Sequence, residues 1–183
     1  MQHLDDLICI SYERGMIGNM NEFSLPMEEL ILEVIEKYNT MVYRLAFSRT
    51  KSVQDAEDIM QNVFMKFIKS NINFESYEHI KAWLIRVTIN LSKNLLTSAW
   101  LKRTTALEEN IVITLKEESE VYKYVLDLPT KYRTVIHLFY FEDMTTANIA
   151  EILNIKESTV RSQLHRGRNM LKEKMKGDEC LEF

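Results

Sequence analysis

The sequence predicts an all-α protein of two helical domains joined by a flexible linker, with a helix-turn-helix in the second domain. A chain of 183 residues, 46% of them hydrophobic, can form one ordinary domain or two small ones. Only 4 residues are glycine and 2 are proline, so few positions interrupt a helix or form tight turns. Apolar residues recur at intervals of three and four, which is the spacing of a helix buried on one side.

The first two helices are predicted within residues 28–68. From Glu28 onward one face collects Leu30, Val34, Tyr38, Met41, Val42 and Leu45. A second helix should begin near residues 52–55, because Ser52 can cap it and the acidic residues that follow favour the positive end of its dipole. Its buried side is predicted to carry Ile59, Val63 and Phe67.

A third helix is predicted after the polar run 71–76, with Ser76 as its cap. It should pass through Trp83, Val87 and Leu91 and end near Leu96. Residues 104–117 then combine polar flanks with a short β-prone run, which is typical of a linker.

The second half of the chain is predicted to hold four helices. Two of them, at about 118–126 and 130–142, are separated by Leu128 and Pro129. A short helix from Met144 to Leu153 can be capped by Thr145 or by Thr146, and Asn154 can adopt the left-handed conformation that ends it. A longer helix follows from Glu157 to about Lys174.

The last two helices have the apolar pattern of a helix-turn-helix, whose skeleton is Ile149, Ala150, Leu153, Ile155, Val160 and Leu164. At 100° per residue, the second helix places Ser158, Ser162, His165 and Asn169 opposite its apolar side. Arg161 and Arg166 flank this stripe. Such a face suits the major groove of DNA, although an ordinary solvated face of a helix pair would show the same polarity.

Charge is distributed unevenly over a chain whose net charge is −4. Residues 1–36 hold eight acidic side chains and one basic one. Five basic and no acidic residues lie between Lys81 and Leu107, and seven basic with two acidic residues between Lys156 and Lys176. Two basic segments in an acidic chain favour two nucleic-acid-binding surfaces; solvated helix faces remain the alternative.

Other functional classes lack the residues they need. Cys9 and Cys180 lie at opposite ends, which fits a reducing compartment and excludes a cysteine-based zinc site. The four histidines are scattered, and no glycine-rich phosphate loop exists. No apolar run spans a bilayer, and Asp5 and Asp6 stand where a secretion signal needs positive charge. We therefore expect a cytoplasmic protein that is not an enzyme and has no cofactor, metal or small-molecule substrate.

Two sequence motifs that precede the helix-turn-helix make the functional prediction more specific. They are DAEDIMQNVFMKF at residues 55–67 and WLIRVTINLSKN at residues 83–94. Followed by LPTKYRTVIHLFYFEDMTTANIAEIL and STVRSQLHRGRNMLK, they resemble the extracytoplasmic-function (ECF) sigma factors, the compact sigma-70-family subunits that give bacterial RNA polymerase its promoter choice. The resemblance covers about residues 27–176. The expected divisions are a poorly ordered extension at 1–26, region 2 at 27–103, the linker at 104–117, region 4 at 118–176 and a tail at 177–183.

The resemblance implies three sets of binding residues. Those matching the core-polymerase-binding helix are Asp55, Glu57, Asp58, Gln61 and Phe64. Those matching the segment that contacts the opened minus-ten element are Trp83, Arg86, Asn90, Lys93 and Asn94. Those expected at the minus-thirty-five element are Ser158, Thr159, Arg161, Ser162, His165 and Arg166. Trp83 also has the spacing of a core residue, so both packing and base stacking stay open.

The resemblance further implies three partners, namely the RNA polymerase core, promoter DNA and an anti-sigma factor, which in this family is usually anchored in the membrane. The expected function is promoter-specific transcription initiation, in a stress or envelope response. Two other interpretations stay open at this stage. One is a self-sufficient helix-turn-helix regulator, which would bind duplex DNA tightly by itself; the other is a helical interaction protein that mimics a sigma domain.

Overall fold

The computed structural model describes residues 26–102 and 120–179, and within these ranges every regular element is an α helix. The all-α prediction is therefore confirmed. The helices are α1 (Met27–Thr50), α2 (Val53–Ile68), α3 (Tyr77–Lys102), α4 (Glu120–Leu126), α5 (Thr130–Tyr140), α6 (Thr146–Leu153) and α7 (Glu157–Glu179). The predicted linker 104–117, the first 25 residues and residues 180–183 lie outside the described ranges.

Helix starts follow the predicted caps. The Ser52 hydroxyl accepts a hydrogen bond from the Asp55 amide at 3.2 Å, and the Ser76 hydroxyl accepts one from the His79 amide at the same distance. Each bond satisfies one of the amides that a helix start leaves without an intrahelical partner. Helix α3, however, continues to Lys102 instead of ending near Leu96. No glycine or proline occurs in that stretch to stop it.

Helices α1, α2 and α3 enclose one hydrophobic core. Its fully buried side chains come from all three helices: Val34, Val42, Leu45, Val63, Ile80, Leu84 and Ile85. A cluster of aromatic rings closes one end of this core, where Phe67 and Phe74 lie 5.4 Å apart between ring centroids. The predicted apolar stripes of α1 and α2 are the ones that the structure buries.

The buried hydrophobic cluster continues among α4, α5, α6 and α7. There it includes Leu128, Val135, Ile136, Leu138, Ile149, Val160 and Leu164. Gly167 on α7 faces α5, and a Cβ atom added there would lie 3.1 Å from Ile136 Cγ1. That distance is tighter than ordinary van der Waals contact, so the missing side chain lets α5 and α7 approach closely.

Polar side chains join the two groups of helices beside the hydrophobic cluster that they share. The Arg49 guanidinium at the end of α1 donates a 2.5 Å hydrogen bond to Thr134 Oγ1 on α5. Arg133 donates to the Arg49 carbonyl oxygen at 3.3 Å, and the Lys81 ammonium on α3 lies 3.4 Å from the Glu142 carboxylate. Burial, reinforced by Arg133, lowers the pKa of Arg49 to about 10, so this guanidinium stays charged at neutral pH.

His137 on α5 is a titratable group in the same contact. Its side chain is 0% exposed, and neither ring nitrogen has a hydrogen-bond partner. Burial, with a smaller contribution from the Arg44 guanidinium, lowers the pKa of His137 to about 4. Glu142 Oε1 lies 3.7 Å from His137 Nε2, and burial raises the pKa of Glu142 against the opposing influence of Lys81. The imidazole is therefore neutral at physiological pH.

We expect His137 to make the fold sensitive to acid. The unfolded chain binds the proton with a pKa of about 6.5, and the folded chain only near 4. Stability is then lost as the pH falls from about 6.5 to 4, by about 2 kcal/mol between pH 7 and pH 5. Denaturant titrations should show a smaller loss of unfolding free energy in His137→Leu. The exposed His165→Gln should behave as the parent, and equal losses in all three proteins would contradict the assignment.

Candidate functional site

The turn between α6 and α7 has the geometry that the sequence predicts. Thr145, not Thr146, caps α6, since its hydroxyl accepts a hydrogen bond from the Asn148 amide at 3.1 Å. Asn154 adopts the left-handed conformation with φ 53°, and the Ile155 amide donates to the Ala150 carbonyl at 3.0 Å. This closes the turn and sets the direction in which α7 leaves it.

The buried side of this helix pair agrees with the predicted skeleton. Ile149, Ala150, Val160 and Leu164 are buried, and Leu153 and Ile155 are half-buried. Ile152 is also buried, at 7% exposure, although the sequence analysis did not include it. Its position three residues after Ile149 is the signal that could have found it.

The opposite side of α7 is exposed along its length. The residues expected at the minus-thirty-five element are Ser158, Thr159, Arg161, Ser162, His165 and Arg166, and all six are exposed. Farther along the same face, Asn169 Nδ2 lies 3.2 Å from His165 Nε2. The helix thus presents hydroxyl, imidazole and amide groups that can donate or accept hydrogen bonds at base edges.

One flank of this face is occupied by an ion pair. The Arg161 guanidinium contacts the Glu157 carboxylate at 2.8 Å, and the Thr146 hydroxyl donates to the same oxygen at 2.5 Å. The Thr146 hydrogen bond, followed by that of Arg161, holds the pKa of Glu157 below its usual value. Arg161 is therefore already paired, and any phosphate there must compete with Glu157.

The other flank brings together residues that are distant in sequence. Lys131 and Tyr132, in the first turn of α5, line a polar pocket with Ser162 and Arg166 of α7. Lys131 and Tyr132 could not be assigned to this flank from the sequence, because they precede Ser162 by about thirty residues and share no periodicity with it. Only the crossing of α5 and α7 makes them neighbours.

A second exposed stripe lies on α3. At 100° per residue, the five expected minus-ten residues fall within an arc of about 100°. Arg86, Asn90, Lys93 and Asn94 are exposed along it, and two of these are cationic. Trp83 is half-buried at the end of the stripe, with its ring 6.1 Å from Phe67 and 5.7 Å from Phe74 between centroids. In this structure Trp83 packs in the aromatic cluster.

The acidic residues of α2 form a third surface. Glu57, Asp58 and Gln61 are exposed, while Asp55 is half-buried beside the capping serine. Phe64 differs from the others, because its ring is only 6% exposed and belongs to the core of α1, α2 and α3. It follows Val63 on the border of the apolar stripe, where a large ring gains more from burial than from contact with water. Phe64 therefore packs beneath the acidic surface of α2 and is not exposed on it.

Two kinds of site are not found in the described part of the chain. No group of three or more histidine, cysteine or acidic residues is placed to hold a metal ion among those residues. None of the helices described there is both long enough and apolar enough to cross a membrane.

Comparison with known families agrees with the division into two groups of helices. The family model for Sigma-70 region 2 matches residues 34–102, which extend from α1 through α2 to the end of α3. The family model for Sigma-70, region 4 matches residues 119–171, which include α4, α5, α6 and most of α7. The helix-turn-helix therefore lies in region 4, and the exposed stripe of α3 lies in region 2.

Individual relatives extend over most of the chain. The ECF RNA polymerase sigma factor SigW of Bacillus subtilis is 27% identical over 169 residues, which cover 81% of this chain and 90% of SigW. A solved structure, the sigma factor RpoE in complex with the anti-sigma factor NepR from Bartonella quintana, has a TM-score of 0.69 at 20% identity. It covers 81% of this chain and 98% of that one, and at this identity it shows a shared fold.

A further curated relative is similar enough to show the family. The ECF RNA polymerase sigma factor SigM of Bacillus subtilis is 30% identical over 152 residues, which cover 76% of this chain and 91% of SigM. Both region models also match in the expected order along the chain. The chain therefore belongs to the ECF sigma factors, which direct bacterial RNA polymerase to its promoters.

Proposed function

We propose that this sigma factor uses three separate surfaces for three contacts during transcription initiation. The acidic surface of α2 binds the polymerase core, the stripe on α3 contacts the opened minus-ten element, and the exposed face of α7 reads the minus-thirty-five element. The observation that carries the proposal is that all three surfaces are exposed at once, on different helices. None of them takes part in the polar contact between the two groups of helices.

The charges of the three surfaces suit these partners. Glu57 and Asp58 on α2 are carboxylates with no cation paired to them among the ion pairs of the described residues, so they complement a basic surface. Arg86 and Lys93 on α3 are cations at the edge of a polar stripe, which is the arrangement that follows a single-stranded backbone. The amides of Asn90 and Asn94, which lie beside these cations on the stripe, can contact unpaired bases.

The proposed regulation and location are based on the family. RpoE was solved in complex with the anti-sigma factor NepR. We propose that an anti-sigma factor also controls this chain and that it is anchored in the membrane. The triggering condition would be a stress or a change in the cell envelope. We place the protein in the cytoplasm because bacterial polymerase and promoters are there, and we assign it no catalytic activity of its own.

The direct test is run-off transcription with purified core polymerase on a library of promoters. We expect specific transcripts only when both the chain and the core polymerase are present. The core synthesises the RNA, and the chain supplies the promoter contacts. A self-sufficient regulator would instead bind duplex DNA tightly without core. That result, with no transcript from the holoenzyme, would overturn the proposal.

The acidic surface of α2 can be tested by one charge reversal. Asp58→Lys should weaken competition for core about tenfold, because it places a cation against a basic partner surface. Helical content should not change, since an exposed acid contributes little to folding. Glu36→Lys is the matched control: it makes the same charge change on an exposed position of α1. Equal behaviour of the two variants would remove α2 from the interface.

The face of α7 can be tested by separating base preference from overall affinity. Ser162→Ala in the holoenzyme should alter preference at one minus-thirty-five position by about 1–3 kcal/mol, measured on single-base promoter variants. Arg161→Ala should change both base preference and overall affinity. It removes a cation from the flank of the exposed face and leaves the Glu157 carboxylate without its ion-pair partner. Glu173→Ala, an exposed position farther along α7, is the control. If alanine at 161, 162, 165 and 166 together changed nothing, α7 would not lie in the groove.

A further inference from the structure

An apolar groove of about 510 Å³ lies between α4, the end of α5 and the second half of α7. Its apolar wall is formed by Val121, Val125, Tyr140, Phe141, Leu171 and Met175. Val121 is 41% exposed, Tyr140 52% and Phe141 43%, and they are three of the seven large hydrophobic side chains that are exposed in the described ranges. Exposed apolar side chains gathered around one groove are typical of a binding surface.

The rim of the apolar groove is basic. Arg168, Lys172 and Lys176 border it on α7, all three are exposed, and no acidic side chain lines the groove. Residues four apart on a helix lie on one face, so the three cations form one row. Arg168 also lies over the Tyr140 ring, with 5.6 Å from the guanidinium carbon to the ring centroid, which brings one end of the row against the apolar wall. The groove therefore favours a segment that combines apolar side chains with acidic ones.

The sequence that follows α7 has the complementary composition. Cys180, Leu181, Glu182 and Phe183 come directly after the helix, which ends at Glu179. Leu181 and Phe183 are apolar, and Glu182 between them is acidic. In an extended segment residues i and i+2 lie on one side. Leu181 and Phe183 can therefore enter the apolar groove together, while Glu182 stays at its rim.

Residues 180–183 are long enough to reach the apolar groove. The α7 residues that line it extend from Arg168 to Lys176, and Lys176 lies about 4.5 Å along the helix axis before the helix end at Glu179. Four extended residues span at most about 14 Å. Lys172 lies about 10 Å from the helix end, so a chain that reverses direction after Glu179 passes Lys176 and reaches the level of Lys172.

We infer that residues 180–183 of the same chain dock in the apolar groove. Leu181 and Phe183 pack against the apolar wall, and Glu182 lies beside Lys172 at the basic rim. The burial of two apolar side chains is opposed by the ordering of four residues, so the docked and undocked forms differ little in free energy.

Docking covers an apolar surface that is otherwise open to a second copy of the chain or to another protein. Because the docked and undocked forms are close in free energy, a partner with a larger apolar surface displaces residues 180–183 readily. The inference does not depend on the three surfaces proposed for polymerase and promoter, since none of the residues assigned to them lines the apolar groove.

Methyl NMR of the full chain tests the docking directly. An aromatic ring displaces the resonances of methyl groups beside it, and Phe183→Leu removes the ring while it keeps an apolar side chain. We therefore expect the methyl resonances of Val125 and Leu171 to shift in this variant, whereas those of Leu32, which is 50% exposed on α1, stay in place. Cys180→Ser is the matched control and should leave all of them unchanged. Resonances of Val125 and Leu171 that do not move in Phe183→Leu would overturn the inference.

The basic rim is tested by exchanging charges. Glu182→Lys should move the methyl resonances of Val125 toward their positions in Phe183→Leu, because a cation then lies against the basic rim. Lys172→Glu combined with Glu182→Lys should reverse about half of that movement, since an ion pair of opposite sense can form. Lys156→Glu makes the same charge change at an exposed lysine outside the groove and should reverse nothing. Equal results for the two combinations would overturn the placement of Glu182 at the rim.

Dilution separates docking within one chain from docking between two copies. The methyl resonances of the parent protein should keep their positions over a roughly twentyfold dilution, because an intramolecular equilibrium does not depend on protein concentration. Resonances of Val125 and Leu171 that move on dilution toward their positions in Phe183→Leu would show that a second copy occupies the apolar groove. That result would overturn docking within the chain.

A fluorescent dye that binds exposed apolar surface measures how well the groove is covered. Leu181→Ser combined with Phe183→Ser leaves the groove open all the time. We expect the dye fluorescence to rise roughly twofold, because docked and undocked forms of similar free energy leave the parent groove covered about half of the time. Cys180→Ser should give the fluorescence of the parent. No rise in the double variant would show that these residues do not cover the groove.

Discussion

The close approach of α5 and α7 at Gly167 determines the geometry of the DNA-binding half of the molecule. Any side chain at that position would meet Ile136 at 3.1 Å from its first carbon. Because α7 lies so near α5, Ser158 and Ser162 of α7 line one pocket with Lys131 and Tyr132 in the first turn of α5. The orientation of the recognition face depends on this contact together with the turn at Asn154.

The two edges of the recognition helix differ in electrostatic character. At one edge Glu157 accepts hydrogen bonds from Thr146 and Arg161, which neutralises a cation before any DNA is present. At the other edge Arg166 lines a pocket with Lys131, and no acidic side chain lines that pocket. A phosphate must therefore displace a carboxylate at the first edge but not at the second.

Polar groups join the two groups of helices beside the hydrophobic cluster that they share. The cluster is apolar, whereas the polar contact is made by Arg49, Thr134, Lys81 and Glu142 together with the neutral His137. Removing one partner of a buried charged pair is costly, because the other charge is left without compensation. The surfaces that we assign to polymerase and promoter lie outside this contact and are exposed.

The sequence by itself determined what depends on neighbours within one helical turn. Ser52, Ser76 and Asn154 could be assigned to helix ends because a cap or a left-handed residue acts on amides and carbonyls a few positions away. The apolar stripes and the exposed row of α7 followed from the 100° advance per residue. The ordered motifs were sufficient to indicate the family.

Only the tertiary structure decided which side chains meet across helices. The pairing of Arg49 with Thr134 joins residues 85 positions apart, and Lys131 and Arg166 line one pocket although they are 35 positions apart. The burial of Phe64 and the packing of Trp83 against Phe67 and Phe74 likewise depend on how α2 and α3 cross. Crossing angles and distances arise from the fit of whole helix surfaces, which no periodicity along a single helix records.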